Sequence, residues 1–204
     1  MKNILIISSL LILALLTSLQ GCSTLKSVKG AEELVEASGK KPKMVSNNIW
    51  FEEKKDTRFF MGFSDQVHDQ DVALRVAELD GKKRIIEAIG TDIRVEGTRG
   101  LSGPDKEAVG RFFEESVAYL TDNTGLSGAI LHETYWEKWV RNDKVQISYY
   151  YKAYGIVRIS NKDYEKTEAL AADVLIERAV QERNQAAEKA ARGVKQRLLE
   201  GSVR

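Results

Sequence analysis

Three features of the 204-residue chain predict an α+β fold: helices packed on a small antiparallel sheet, with a long C-terminal helix. Val109, Phe112, Phe113, Ser116, Val117 and Leu120 recur at the spacing of one amphipathic helix face. From Ala129 the period changes to two. Tyr135, Trp136 and Trp139 lie on one run, Arg141-Asn142-Asp143-Lys144 makes a polar turn, and a Tyr-rich run returns from Val145 to Ile159. That is the pattern of a long antiparallel hairpin. Beyond Asn161 the chain is rich in Ala, Glu, Lys and Arg, which suits a helix reaching to about Leu199.

The chain opens on Lys2, an uncharged aliphatic run from Ile4 to Leu16, and small residues leading into Leu19-Gln20-Gly21-Cys22. Charge, apolar core and small-residue cleavage site are the layout of a secretory signal. The apolar run is shorter than the roughly 20 residues that a membrane-spanning helix needs. The ending resembles the lipobox of bacterial lipoproteins. That resemblance implies cleavage between Gly21 and Cys22, lipid on the Cys22 thiol, and a palmitate-type acyl group on the new amino terminus. Ser23 is not the aspartate that retains some lipoproteins at the inner membrane, so the expected location is the outer membrane, in the periplasmic leaflet rather than at the cell surface.

Composition agrees with that address and narrows the function. Cys22 is the only cysteine, so an internal disulfide and a cysteine-based zinc site are excluded. Removing residues 1–21 takes away Lys2 alone among charged residues and leaves basic and acidic side chains in balance. A neutral chain has no electrostatic footprint for nucleic acid, and membrane contact is expected through lipid on Cys22.

The organisation expected is a signal over 1–21, a lipidated tether over 22–47, an α+β domain over 48–160 and a helical extension over 161–204. The tether holds five lysines, two glycines and Pro42, with a helical patch at Ala31 to Ala37. Fully extended, its residues would reach about 80 Å. Ile49-Trp50-Phe51 and Arg58 to Ser64 read as strands. Asp69 is the N-cap candidate for a helix from about Gln70 to Ile89, with Val72, Val76, Leu79, Ile86 and Ile89 as its aliphatic side. Ala73, Ala77, Gly81 and Ala88 form a second, small-residue stripe that permits close backbone approach. Ile93 and Val95 alternate within Thr91 to Glu96, which suits a strand. Gly97 to Pro104 is a loop, and Pro104 with Asp105 and Glu107 starts the second helix. Asn161 or Asp163 is expected to cap the third. Past Glu177 its alanines, with Val180, Val194 and Leu198, predict a solvent-exposed half or a docking face for a partner helix.

The segment order, from Met61-Gly62-Phe63-Ser64 through the Ala-rich helix to the Trp-bearing strand and Val157-Arg158-Ile159, resembles the lipoprotein-twenty family of small bacterial envelope lipoproteins. It is similar to the N-terminal domain of flagellar assembly protein T. The resemblance covers roughly Trp50 to Tyr164. It implies a compact α+β domain and a non-enzymatic envelope role, tied in some members to flagellar structures, and it carries over no catalytic residue and no cofactor.

Candidate sites are few. Asp65, His68, Asp69 and Asp71 cluster, but an EF-hand loop would need glycine and glutamate where Gln70 and Val76 stand. His68 and His132 form no His-Glu-x-x-His motif, and His132 and Glu133 on a strand point to opposite faces. Gly97 to Lys106 lacks the Gly-Lys-Ser/Thr ending of a phosphate loop, and no Gly-x-Ser-x-Gly elbow occurs. The aromatic hairpin supplies more ring surface than one sheet face needs, so Trp136, Tyr150 and Tyr154 are the expected partner-binding residues. The function expected is structural, assembly or protein-binding, with an envelope protein or a second copy bound through the hairpin or the C-terminal helix. The alternatives are a periplasmic enzyme using acidic residues such as Glu133 and Glu137, or a carrier of a small apolar ligand between helix and sheet.

Overall fold

The computed structural model describes residues 32–142 and 146–201. Gly21, Cys22 and the first part of the expected tether lie outside the described residues. The fold is α+β. In order it comprises β1 (Glu32–Ala37), α1 (Lys43–Ser46), β2 (Phe51–Lys54), β3 (Thr57–Val67), α2 (Gln70–Gly97), α3 (Gly103–Asn123), β4 (Ile130–Asn142), β5 (Ile147–Ser160), α4 (Asn161–Gln181) and α5 (Gln185–Gly201). The sheet order is β1-β4-β5-β3-β2, with β3 antiparallel to both β2 and β5. Two units are distinguished: 33–140 with 149–204, which holds the core and every site described below, and 1–32 with 141–148, in which Arg141 pairs with Glu32.

The contact between α2 and the sheet is set by glycine. Gly62 of β3 lies opposite Gly155 of β5. A Cβ on Gly62 would fall inside the backbones of Ala77 and Gly81, and one on Gly155 would come within 3.0 Å of the Glu78 amide nitrogen. The helix therefore lies in a notch, and Ala73, Ala77 and Gly81 are the residues that face the strands, with Ala153 beneath them. This is the close approach expected of the small-residue stripe. It also overturns three of the five positions of the aliphatic stripe. Ile86 and Ile89 are buried, whereas Val72, Val76 and Leu79 are exposed, Leu79 to 64%. Backbone approach this tight leaves no space for branched side chains underneath, so the notch fixes the rotation of the helix.

The strand expected at Thr91 to Glu96 is helix. Ile86, Ile89 and Ile93 are all buried at helical spacing, and Val95 is exposed. That period prevails over the short Ile93/Val95 alternation, and α2 runs on to Gly97, where the Phe113 ring occupies the place of a side chain. Asp69 caps the helix as expected, its Oδ1 accepting from Val72 N at 2.9 Å. The second helix, α3, buries Val109, Phe112, Phe113, Ser116 and Leu120. Ser116 Oγ donates to the Phe112 carbonyl at 2.6 Å, so the one polar member of the stripe is satisfied.

Two expectations at the ends of the chain change. Residues 32–46, expected within a tether with a helical patch, form β1 and α1. Ser38 N donates to Trp136 O at 3.0 Å, and Met44 and Val45 are buried against Met61, Tyr135 and Ile156 on the sheet face opposite α2. The edge of β4 supplies backbone partners that a helix here would forgo. The single long C-terminal helix is two. Ser160, one residue earlier than the expected caps, accepts from Asp163 N and starts α4. The chain turns at Arg183, in the left-handed region at φ 55°, and Asn184 Oδ1 accepts from Ala187 N to start α5. Ala187, Ala191 and Val194 are then fully buried in the same core as Tyr164 and Leu175. Alanines bury little area, but they let α5 lie close against its neighbours. The expected face for a partner helix is thus occupied by this chain's own core.

Candidate functional site

Two buried glutamates mark the two faces of the sheet. On the face opposite α2, β4 projects Tyr135, Glu137 and Trp139 in alternate positions. Glu137 is 5% exposed. It accepts from Lys41 Nζ at 2.8 Å, from Tyr135 Oη at 3.2 Å and from Trp139 Nε1 at 3.1 Å. Burial alone would push the carboxyl up. The hydrogen bonds from Lys41, Trp139 and Tyr135, with the Lys41 charge, outweigh it and hold the group below the usual carboxylate range. The same hydrogen bond holds the Lys41 ammonium above its ordinary value. A carboxylate with three donors and a fixed countercharge is a structural clasp. It pins the segment between β1 and α1 onto the sheet, and it is poorly suited to the acid–base role considered for Glu137.

The hairpin aromatics are distributed differently from the expectation. Tyr150 is 3% exposed, with Lys152 Nζ 5.8 Å from its ring and 4.8 Å from that of Trp139. It is buried on the face opposite α2, not exposed to a partner. Tyr154 is half-buried between Phe63 and Tyr135, with ring centroids at 4.9 and 6.1 Å. Trp136 is half-buried edge-on to Tyr151 at 5.7 Å. The exposed ring is that of Tyr149, approached by Lys138 Nζ at 5.3 Å. His68 Nδ1 lies 2.7 Å from the Tyr149 carbonyl, which can only accept, so the ring nitrogen donates. His132 sits edge-on to Phe59, and Glu133 is exposed. Among the described residues no three His, Cys, Asp or Glu side chains are grouped to hold a metal.

On the helix side, two clefts meet at Asp92 of α2. One, of about 520 Å³, has Trp50, Phe60 and Tyr164 on its walls. Its ring faces are taken by the chain's own cations: Arg84 lies 4.3 Å over Trp50 and Arg58 lies 3.8 Å over Tyr164. The other, of about 400 Å³, opens between α2, α4 and α5 and includes Asp92, Val95, Glu168 and Leu198. Tyr164 Oη donates to Asp92 Oδ2 at 2.8 Å. Burial, then the Asp92 carboxylate, push the Tyr164 hydroxyl far above the usual tyrosine range, so it stays a donor. Glu168 is 9% exposed and makes no hydrogen bond or ion pair among the described residues. Burial, followed by the charge of Asp92, pushes its carboxyl up to about 7. Sequence reading missed Glu168, yet a signal was present. Tyr164, Glu168, Ala171 and Leu175 occupy one helical stripe, and an acid amid that stripe marks a buried charge.

No protein-family model, no curated protein and no solved structure matches the chain. Among the described residues no helix is long and apolar enough to cross a membrane.

Proposed function

We propose that the chain is a lipid-anchored bacterial envelope protein, held in the outer membrane through Cys22, whose folded part binds another envelope protein in a structural or assembly role and catalyses no reaction. The Leu19-Gln20-Gly21-Cys22 ending and the segment order discussed above support the address and the non-enzymatic role. The observation that carries the binding role is an apolar rim at one end of the sheet. Leu34 and Val35 of β1, Tyr149 of β5, and Val72 and Val76 at the start of α2 are all exposed. They share that end because β1 runs beside β4, Val67 pairs with Tyr151, and α2 starts three residues beyond Val67. Scattered exposed apolar side chains are ordinary; four aliphatics and a tyrosine gathered at one end support an interaction surface.

The start of β1 also shortens the reach of the anchor. Residues 23–31 separate Cys22 from β1 and span at most about 32 Å. A partner at the rim would therefore be met near the membrane, not at the distance a tether to Asn47 would allow. Cell fractionation and in-cell cross-linking of the full chain test the reading. Cys22→Ser is expected to move the protein from the membrane to the soluble fraction, and Val35→Glu to abolish cross-links while the protein stays at the membrane. Membrane retention of Cys22→Ser would sink the anchor. Unchanged cross-links in Val35→Glu would sink the rim, and cross-links to a second copy alone would make the partner this chain itself.

A further inference from the structure

We propose that the cleft between α2, α4 and α5 binds a primary ammonium group on a short alkyl chain, held by the carboxylates of Glu168 and Asp92. The starting observation is that Glu168 lines this cleft nine-tenths buried and without a partner. Its oxygens keep some access to solvent at the cleft, but a carboxylate on a largely buried side chain with no hydrogen bond is less well solvated than in water and opposes folding. Its neighbours do not relieve it. Thr167 Oγ1 donates to the Asp163 carbonyl of its own helix, and the Tyr164 hydroxyl is given to Asp92 Oδ2. Asp92 Oδ1 is left with no hydrogen bond among the described residues, so it and both Glu168 oxygens are acceptors open to the cleft.

The charges facing Glu168 decide the ligand class. Asp92 and Glu96 come from α2, Glu165 from its own helix, Arg58 from β3 and Arg197 from α5. Glu96 is already neutralised: Oε1 lies 2.5 Å from Arg197 Nε and Oε2 lies 3.1 Å from Arg99 Nη2. Arg58 Nη1 stays 3.9 Å from Asp92 and is stacked on Tyr164. What remains uncompensated is negative, which repels an anion and gives a neutral ligand no charge to offset. Glu168 and the remaining Asp92 oxygen are too few for calcium, which takes six to eight oxygen ligands. An ammonium has three donors and one charge, which suits a pair of carboxylates. Val95 and Leu198 supply apolar wall for the attached chain, and about 400 Å³ admits a chain of a few carbons. A free alkylamine and the side chain of a partner's lysine present this same chemistry.

Isothermal titration of the purified full chain, with n-butylammonium and with Nα-acetyl-lysine methylamide in parallel, tests the proposal. Runs at about pH 6 and about pH 8 lie on either side of the Glu168 transition at about 7. Affinity is expected to be about tenfold higher at the upper pH, since only ionised Glu168 holds the cation. Glu168→Gln should remove both the binding and its pH dependence, while Glu177→Gln, an exposed site farther along the same helix, should leave them intact. Circular dichroism checks that Glu168→Gln is folded, and Asp92→Asn provides a second route to the same loss. Preference for the lysine derivative would assign the source to a peptide, and preference for n-butylammonium to a free amine. Absence of binding by either probe, or equal binding by Glu168→Gln and wild type, would overturn the proposal.

Discussion

Glu137 and Glu168 are both buried carboxyls, one on each side of the same sheet, and they have opposite surroundings. Glu137 is met by three donors, one of them an ammonium brought in from another segment. Glu168 is met by other carboxylates that the charge of Arg58 only partly offsets, and it takes no hydrogen bond among the described residues. The first holds a covering segment in place. The second is carried by the fold at a cost, on the wall of a cleft that it shares with Asp92. Burial alone therefore says little about what a charged residue does; the donors and charges around it decide whether it holds a segment in place.

The pH dependence of stability gives the sharpest contrast. Glu168 has a folded-state pKa of about 7, above its unfolded value of 4.5. Between those two values the folded state holds more protons, so stability falls as pH rises through this window and is flat above it. The full difference corresponds to up to about 3 kcal/mol. Glu137 has the opposite sign: its folded pKa lies below 4.5, so its contribution is present above that value and is lost as pH falls through the folded pKa. Glu168→Gln is expected to raise the melting temperature at neutral pH and to flatten its fall between about pH 5 and pH 7. A wild-type chain whose melting temperature rises over that window would break the contrast.

A smaller effect is expected from the clasp. Lys41→Ala removes one of three donors from Glu137 and the charge that balances it. The Lys41 side chain is 40% exposed, so solvent screens part of the interaction. A loss of about 1–2 kcal/mol is expected, read as a lower urea midpoint with an unchanged slope. A change below about 0.3 kcal/mol would mean that Met44 and Val45 hold the segment by packing alone.

How much of this was legible follows from which physical signal was local. The α3 stripe is a matter of spacing, and Val109, Phe112, Phe113 and Leu120 are buried as that spacing requires. The hairpin is equally local. The rotation of α2 is not, because it depends on Gly62 and Gly155 meeting across two strands far apart in sequence. Knowing only that Ala73, Ala77 and Gly81 form a stripe, one cannot tell that they, and not Val72, Val76 and Leu79, face the sheet. The break at Glu182 to Asn184 rests on one left-handed residue and one asparagine cap, weaker marks than Gly or Pro. Among the site residues, Tyr150 was misplaced because alternation assigns a face without saying whether that face is covered. On that face residues 38–46, whose lysines and Pro42 read as a tether, cover Met61 and Ile156, while Tyr150 has Lys152 beside its ring. Lys41 and Glu137 are both visible in the sequence; their pairing across 96 residues is not.

The exposed side of α2 gives the smallest expected change in stability and the one that separates folding from binding. Val76 lies on the rim, away from both glutamates, and the notch holds the helix without it. Val76→Ser removes a branched apolar side chain that is already in water, so the urea midpoint should move by no more than about 0.5 kcal/mol. If the rim is a binding surface, the same substitution should weaken in-cell cross-linking severalfold, since the apolar contact is lost only in the complex. A destabilisation of about 2 kcal/mol would mean that Val76 is packed in solution and that the helix is rotated from the position the glycine notch dictates. A silent result in both measurements would leave Val35 and Tyr149 of the sheet edge, and not the helix, as the part of the rim a partner touches.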